Sequence, residues 1–145
     1  MQNLTINRAT SKNNSKAQHG KVAMSIGLWA VQVLVALIFL FSGSSKLIMP
    51  IEMMTTQMAI PLPGLFIRFL GVAEVAGALG LILPGLFRIQ RILTPLAAAG
   101  LIIIMIGATT ITLASGDSMG ALMPLVLGLL AALILYGRRS YLKTA

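Results

Sequence analysis

The chain has 145 residues, of which 57% are hydrophobic and only 10% charged, with a mean hydropathy of +0.94. A soluble domain of this length would carry about 25% charged residues, so the composition is that of an integral membrane protein with one domain. There is no cysteine and a single histidine, His19, which excludes disulfides, thiolate metal sites, iron–sulfur clusters and a bis-histidine haem built from this chain.

Residues 1–21 are rich in Asn, Ser, Thr and Gln, with four positive charges and no acidic residue, which predicts a largely disordered basic tail able to lie against anionic lipid. Residues 22–139 predict a four-helix transmembrane domain. Its first span covers about 24–45. A secretory signal peptide is the competing reading, disfavoured by the long polar lead and by an apolar stretch that outlasts an h-region. The link that follows is too polar to span and too apolar for a plain loop. Pro50 can open a short helix there, with Ile51, Met54 and Met58 along one side, in a segment lying at the membrane interface. Met49, Met53, Met54 and Met58 are read as apolar packing rather than a soft-metal site, and no metal centre is expected.

The second span, about 65–83, is expected to end at Pro84-Gly85. A short connection carrying Arg88 and Arg91 predicts an antiparallel hairpin with the third span, about 94–115, where Thr94-Pro95 reads as a cap and a first-turn proline. Asp117 marks the next turn. The fourth span, about 119–137, would be kinked at Pro124, and residues 140–145 form a C-terminal tail. The fold class expected is an all-α membrane protein, a four-transmembrane-helix antiparallel bundle with a short interfacial segment between helices 1 and 2.

The net charge of +8 sits in blocks between apolar runs, a pattern that reports topology rather than nucleic-acid binding. Nine of the eleven Lys and Arg residues fall in the N-terminal tail, the turn between spans two and three, and the C-terminus; Lys46 and Arg68 fall on the other side. The positive-inside rule then places both termini in the cytoplasm, in what we expect to be a bacterial inner membrane.

Glu74 lies near the middle of the second span, roughly 13 Å deep in a helix that starts near Leu65. Ionisable groups at that depth face a bundle interior or a wet cavity. Within about 60° of Glu74 on a helical wheel stand Ile67, Gly71, Gly77, Ala78 and Leu81. Gly71, Gly77 and Ala78 are small enough to let neighbouring helices approach closely around the carboxyl. By depth, Ser42 and Thr109 lie about 8–10 Å further out, with Lys46, Arg68 and Thr112 nearer the external interface. These residues sketch a polar funnel with Glu74 as its floor, above packing that is apolar apart from Gln32. Lys46 and Glu74 differ in backbone depth by about 10 Å or more, so a water or a serine hydroxyl is expected between them.

The segments FSGSSKL (41–47), RFLGVAEVAGALGLILP (68–84), TPLAAAGL (94–101), MIGA (105–108) and the closing YGR (136–138) together resemble the DoxX-like family of small four-helix membrane proteins. The resemblance covers about 36–139. Members that give the family its name look like membrane subunits of quinone-linked sulfur oxidoreductases, and others are tied to redox stress at the membrane. Many relatives carry a histidine near the outer end of helix 3, where this chain has Thr112, so a role that needs an imidazole does not transfer.

The reading that follows is a membrane subunit or accessory of a quinone-linked redox system. Glu74 would be the proton acceptor, with Ser42, Lys46, Arg68, Thr109 and Thr112 lining the ligand site. The chain has no electron carrier of its own, so a redox partner subunit is implied, with quinone the candidate ligand and membrane lipid the surroundings. A non-catalytic membrane helper that binds or stabilises lipid or protein is the alternative. A small transporter is a weaker one, since no inverted repeat or pair of broken helices is visible. The small-residue faces would serve a homo-oligomer as readily as contacts within one chain.

Overall fold

Apolar runs set the elements of this protein, and turn residues set their ends. The computed structural model describes residues 2–58 and 60–143, and all regular structure among them is helical. The helices are α1 (Gln2–Ile48), α2 (Ile51–Thr56), α3 (Gly64–Phe87), α4 (Leu93–Ala114), α5 (Leu122–Arg138) and α6 (Ser140–Lys143). Three of them, α1, α3 and α4, are long and apolar enough to cross a membrane. Helix α5 is apolar but has 17 residues, about 25 Å of rise. The chain divides into two units, Met1–Ala30 and Val31–Ala145.

In the first unit the backbone is helical from Gln2, where the composition predicts a disordered tail. No proline interrupts residues 2–21, and glycine is absent before Gly20. Polar side chains that often break helices turn back onto helical carbonyls instead. Thr10 Oγ1 donates to Ile6 O (2.8 Å) and Ser15 Oγ to Lys12 O (2.9 Å), while His19 Nδ1 lies 2.6 Å from Ser15 O. Met1 of the expected tail, Ala59 of the link, and Thr144 and Ala145 of the C-terminal tail lie outside the described residues; residues 140–143 form α6.

In the second unit, four helices contribute to one core. Val35, Ala36 and Phe39 of α1 meet Ala78 and Leu81 of α3, Ala98, Leu101 and Met105 of α4, and Ala131 and Ile134 of α5. The outward faces are as apolar as the core: Phe41, Leu65, Phe69, Ile103, Ile106 and Leu129 are all exposed. A water-soluble bundle would not carry such a surface, whereas lipid tails accept it at no cost.

Three helix ends differ from expectation. Helix α3 does not stop at Pro84-Gly85 but runs on to Phe87 with Pro84 buried inside it, and Arg88 closes it in the left-handed conformation (φ 54°). Proline removes one N–H and strains a helix, yet within a membrane bundle a neighbouring helix can supply the missing hydrogen bonding. Helix α5 begins at Leu122, so Pro124 stands in its first turn and kinks nothing, because the N–H it lacks there has no helical partner anyway. Helix α4 begins one residue before Thr94, with Ile92 and not Thr94 at its N-cap. The expected short helix after Pro50 is α2.

Candidate functional site

Glycine sets the geometry at Glu74. A Cβ placed on Gly43 of α1 would lie 2.8 Å from the Gly71 carbonyl oxygen of α3, and one on Gly71 would lie 3.0 Å from the Gly43 carbonyl oxygen. The two backbones therefore touch at this level, with no room for a side chain on either. The pairs Lys46–Glu74 and Gln32–Leu81 show that α1 and α3 run antiparallel.

With Gly43 facing Gly71, Lys46 stands one turn to one side of the contact and Glu74 one turn to the other, about 9 Å apart along the axes. Side chains in a helix lean toward its N-terminus. In antiparallel helices Lys46 therefore leans toward Glu74 and Glu74 toward Lys46, and the gap closes. The result is a direct ion pair, in place of the expected bridging water or hydroxyl. Lys46 Nζ lies 2.9 Å from Glu74 Oε2 and 3.1 Å from Oε1, and it also donates to Ser42 Oγ at 2.7 Å. The carboxylate is buried (3% exposed) and the lysine side chain partly open (27%).

Arg68 is engaged elsewhere. Its Nη1 donates to Lys46 O (2.7 Å) and its Nη2 to Met49 O (3.0 Å), so the guanidinium closes the carbonyl end of α1. Thr109 and Thr112 are half-buried on α4 and donate to their own helix, to Met105 O (2.7 Å) and Ala108 O (2.8 Å). Neither threonine is hydrogen-bonded to Glu74 or Lys46. Gly77 lies against the Leu101 side chain of α4, and Ala78 is fully buried in the core. A groove of ≈ 330 Å³ between α3 and α4 is lined by Ala76, Gly77, Gly80, Leu96, Ala97 and Gly100; it is apolar and does not include Glu74.

A second polar cluster, which the sequence reading missed, lies at the other end of the same helices. Gln32, buried, donates through Nε2 to the carbonyl of Leu81, one residue beyond the carbonyl that Pro84 deprives of its donor. Its Oε1 accepts from Arg138 Nε (3.3 Å), and Arg138 Nη1 donates to Tyr141 Oη (3.0 Å). Arg138 is 7% exposed, and its Nη2 has no hydrogen-bond partner among the described residues. The Arg91 and Arg138 guanidinium carbons stand 5.8 and 5.6 Å from the centroid of the Tyr141 ring. Counting basic residues for topology enters Arg138 only as one of three C-terminal charges and says nothing of its burial. The one available signal was Gln32, an amide deep in an apolar span that requires a partner.

No curated protein and no solved structure matched the chain. The model of the DoxX-like family matches residues 30–134, which include Ser42, Lys46, Glu74 and the core of all four packed helices. With three apolar helices of spanning length and this match over most of its length, the chain is an integral membrane protein of the DoxX-like family.

Proposed function

We propose that this protein is a membrane subunit or accessory of a quinone-linked redox system, spanning a bacterial inner membrane four times with both termini in the cytoplasm. The observation that carries the reading is the Lys46–Glu74 pair, a buried carboxylate in contact with a lysine whose side chain is partly exposed. Such a pair can hold a proton donor and a proton acceptor at one point inside a low-dielectric bundle, where exchange with a ligand oxygen needs both. A quinol hydroxyl held against Lys46 would pass its proton to the Glu74 carboxylate, and a quinone oxygen would take that proton back on reduction. The second proton of the couple would exchange with bulk water, and Ser42 would keep the ammonium in place. Arg68, Thr109 and Thr112 would border the head group. Interconversion of quinone and quinol also moves two electrons, and a partner subunit would exchange these, since the chain holds no redox group.

Glu74→Gln tests the proton role. The expected outcome is normal membrane insertion with quinone-linked activity down by about 100-fold or more. The double variant Lys46→Gln/Glu74→Gln, which leaves no unpaired charge, should be equally inactive. Wild-type activity in either variant would rule out proton transfer by this carboxylate.

The same contacts favour a second reading, a non-catalytic membrane helper or lipid-binding and stabilising protein. Glu74 has a direct partner, and its bonds tie α1 to α3 next to the glycine contact. Extraction of the lipids that copurify separates the two readings: stoichiometric quinone supports the first, phospholipid alone the second.

A further inference from the structure

We propose that the bundle end formed by the α3–α4 turn and the C-terminus of α5 holds the phosphate of an anionic phospholipid between Arg138 and Arg91. The argument starts from a shortage of acids. The whole chain has three acidic side chains, Glu52, Glu74 and Asp117. Glu74 pairs with Lys46, Asp117 Oδ1 accepts the N–H of Gly120 in the α4–α5 turn, and Glu52 lies in α2, after the opposite end of α1. None of the three can reach Arg138.

Arg138 is nonetheless buried. Among the described residues its guanidinium has neutral partners only, the Gln32 amide oxygen at Nε and the Tyr141 hydroxyl at Nη1, while Nη2 has none. A buried cation without an anion is costly, and a guanidinium stays charged under all ordinary conditions. The bonds from Gln32 and Tyr141 hold the group in one orientation, so an incoming anion meets a fixed set of donors. Arg91, exposed, shares the ring of Tyr141 with Arg138, which brings a second guanidinium to the same place. Arg88, Arg139 and Lys143 add exposed positive charge at this end, and no acidic side chain stands there.

Phosphate is the anion that matches. Its tetrahedral oxygens accept from planar guanidinium groups, and in a membrane protein the abundant phosphate at the level of the helix ends is that of lipid head groups. Nη2 is itself buried, so a phosphate oxygen reaches it by displacing a neighbouring side chain, while the Gln32 bond at Nε keeps the guanidinium in place. This site is independent of Glu74 and of any quinone.

The test uses the full chain in neutral detergent micelles, with thermal unfolding followed while phosphatidylglycerol or phosphatidylcholine is added, and inorganic phosphate in a separate series. Phosphatidylglycerol is expected to protect at about tenfold lower concentration than phosphatidylcholine, the discrimination one charge-assisted contact supplies. Arg138→Gln should abolish that preference, and Arg138→Lys should keep part of it. Arg91→Gln, an exposed change that leaves the fold intact, should lower the preference by about threefold and decides the matter if Arg138→Gln does not fold. Equal protection by both lipids overturns the proposal, as does an undiminished preference in Arg138→Gln or, where that variant cannot be purified, in Arg91→Gln. Protection by millimolar inorganic phosphate equal to that by phosphatidylglycerol also overturns the lipid assignment and leaves a site for free anion.

Discussion

The two polar clusters of this bundle use the same pair of helices and solve opposite electrostatic problems. Near the α2 end, Lys46 and Glu74 balance each other, Ser42 completes the lysine, and Arg68 satisfies backbone carbonyls. At the other end, Gln32 and Tyr141 orient Arg138 without neutralising it. The first cluster pairs its charges within the chain, whereas in the second no acidic side chain stands by Arg138 among the described residues. The difference teaches that burial alone does not mark a ligand site in a membrane protein. What marks a site for a counter-ion from outside the chain is burial combined with an unmet charge, because hydrocarbon offers no water to meet it.

Breaking the balanced pair from one side should give the largest effect. Lys46→Met leaves the Glu74 carboxylate buried without a counter-charge and should destabilise the fold by about 3 kcal/mol, the low end of the range for such pairs because Lys46 is partly open. The double variant Lys46→Met/Glu74→Met removes both charges and should recover most of that loss. Reversible unfolding in mixed micelles measures both. If the double variant is as unstable as the single one, the pair is not balanced in the sense argued here and the lysine has a separate structural role.

The glycine contact that allows this pairing comes next. Gly43→Ala puts a methyl group 2.8 Å from the Gly71 carbonyl oxygen and should cost about 2 kcal/mol by forcing α1 and α3 apart. Gly107→Ala, on the same kind of apolar helix but with nothing within 4 Å, serves as the control and should be neutral or slightly stabilising. Gln32→Leu probes the opposite cluster. It leaves Arg138 Nε without its acceptor and the Leu81 carbonyl without its amide donor, beside a helical proline, at about 1.5 kcal/mol. Anionic lipid should offset part of that loss, and no lipid should offset the loss in Gly43→Ala; a uniform lipid response would erase the contrast between the two ends.

How much of this was legible in the sequence depends on which physical rule each feature obeys. Composition and apolar run length gave the membrane class and placed the ends of α3, α4 and α5 and the C-terminal end of α1 to within a few residues, because bilayer thickness fixes how long an apolar run must be; the start of α1 at Gln2 lies in polar sequence, where that rule is silent. Of the five companions the wheel around Glu74 identified, Ile67, Gly71, Ala78 and Leu81 are buried with it and Gly77 is half-buried. The direct Lys46–Glu74 contact was not legible from depth alone. It depends on two side chains leaning toward each other across an antiparallel crossing, and counting rise per residue ignores that lean. Pro84 and Pro124 were misread for a related reason. A proline ends or kinks a helix only when its missing N–H and its ring meet no accommodation, and that is decided by the neighbours and by its place within the helix. Arg138 was hidden by a rule that counts charges by side and says nothing of burial.

The smallest expected effect concerns Arg68, and it sharpens the comparison from the balanced side. Were Arg68 a lipid-phosphate ligand in the manner proposed for Arg138, its removal would change the phosphatidylglycerol preference and leave the helix end alone. Its two bonds instead run to Lys46 O and Met49 O, carbonyls that α1 cannot satisfy internally at its end. A cation at a helix C-terminus also offsets the partial negative charge there. Arg68→Met should therefore cost about 1 kcal/mol and raise backbone hydrogen exchange over the last turn of α1, while phosphatidylglycerol preference stays as in wild type. Loss of that preference in Arg68→Met would mean that the cluster near the α2 end also recruits an anion from outside, and the division between a self-satisfied end and a lipid-completed end would fail.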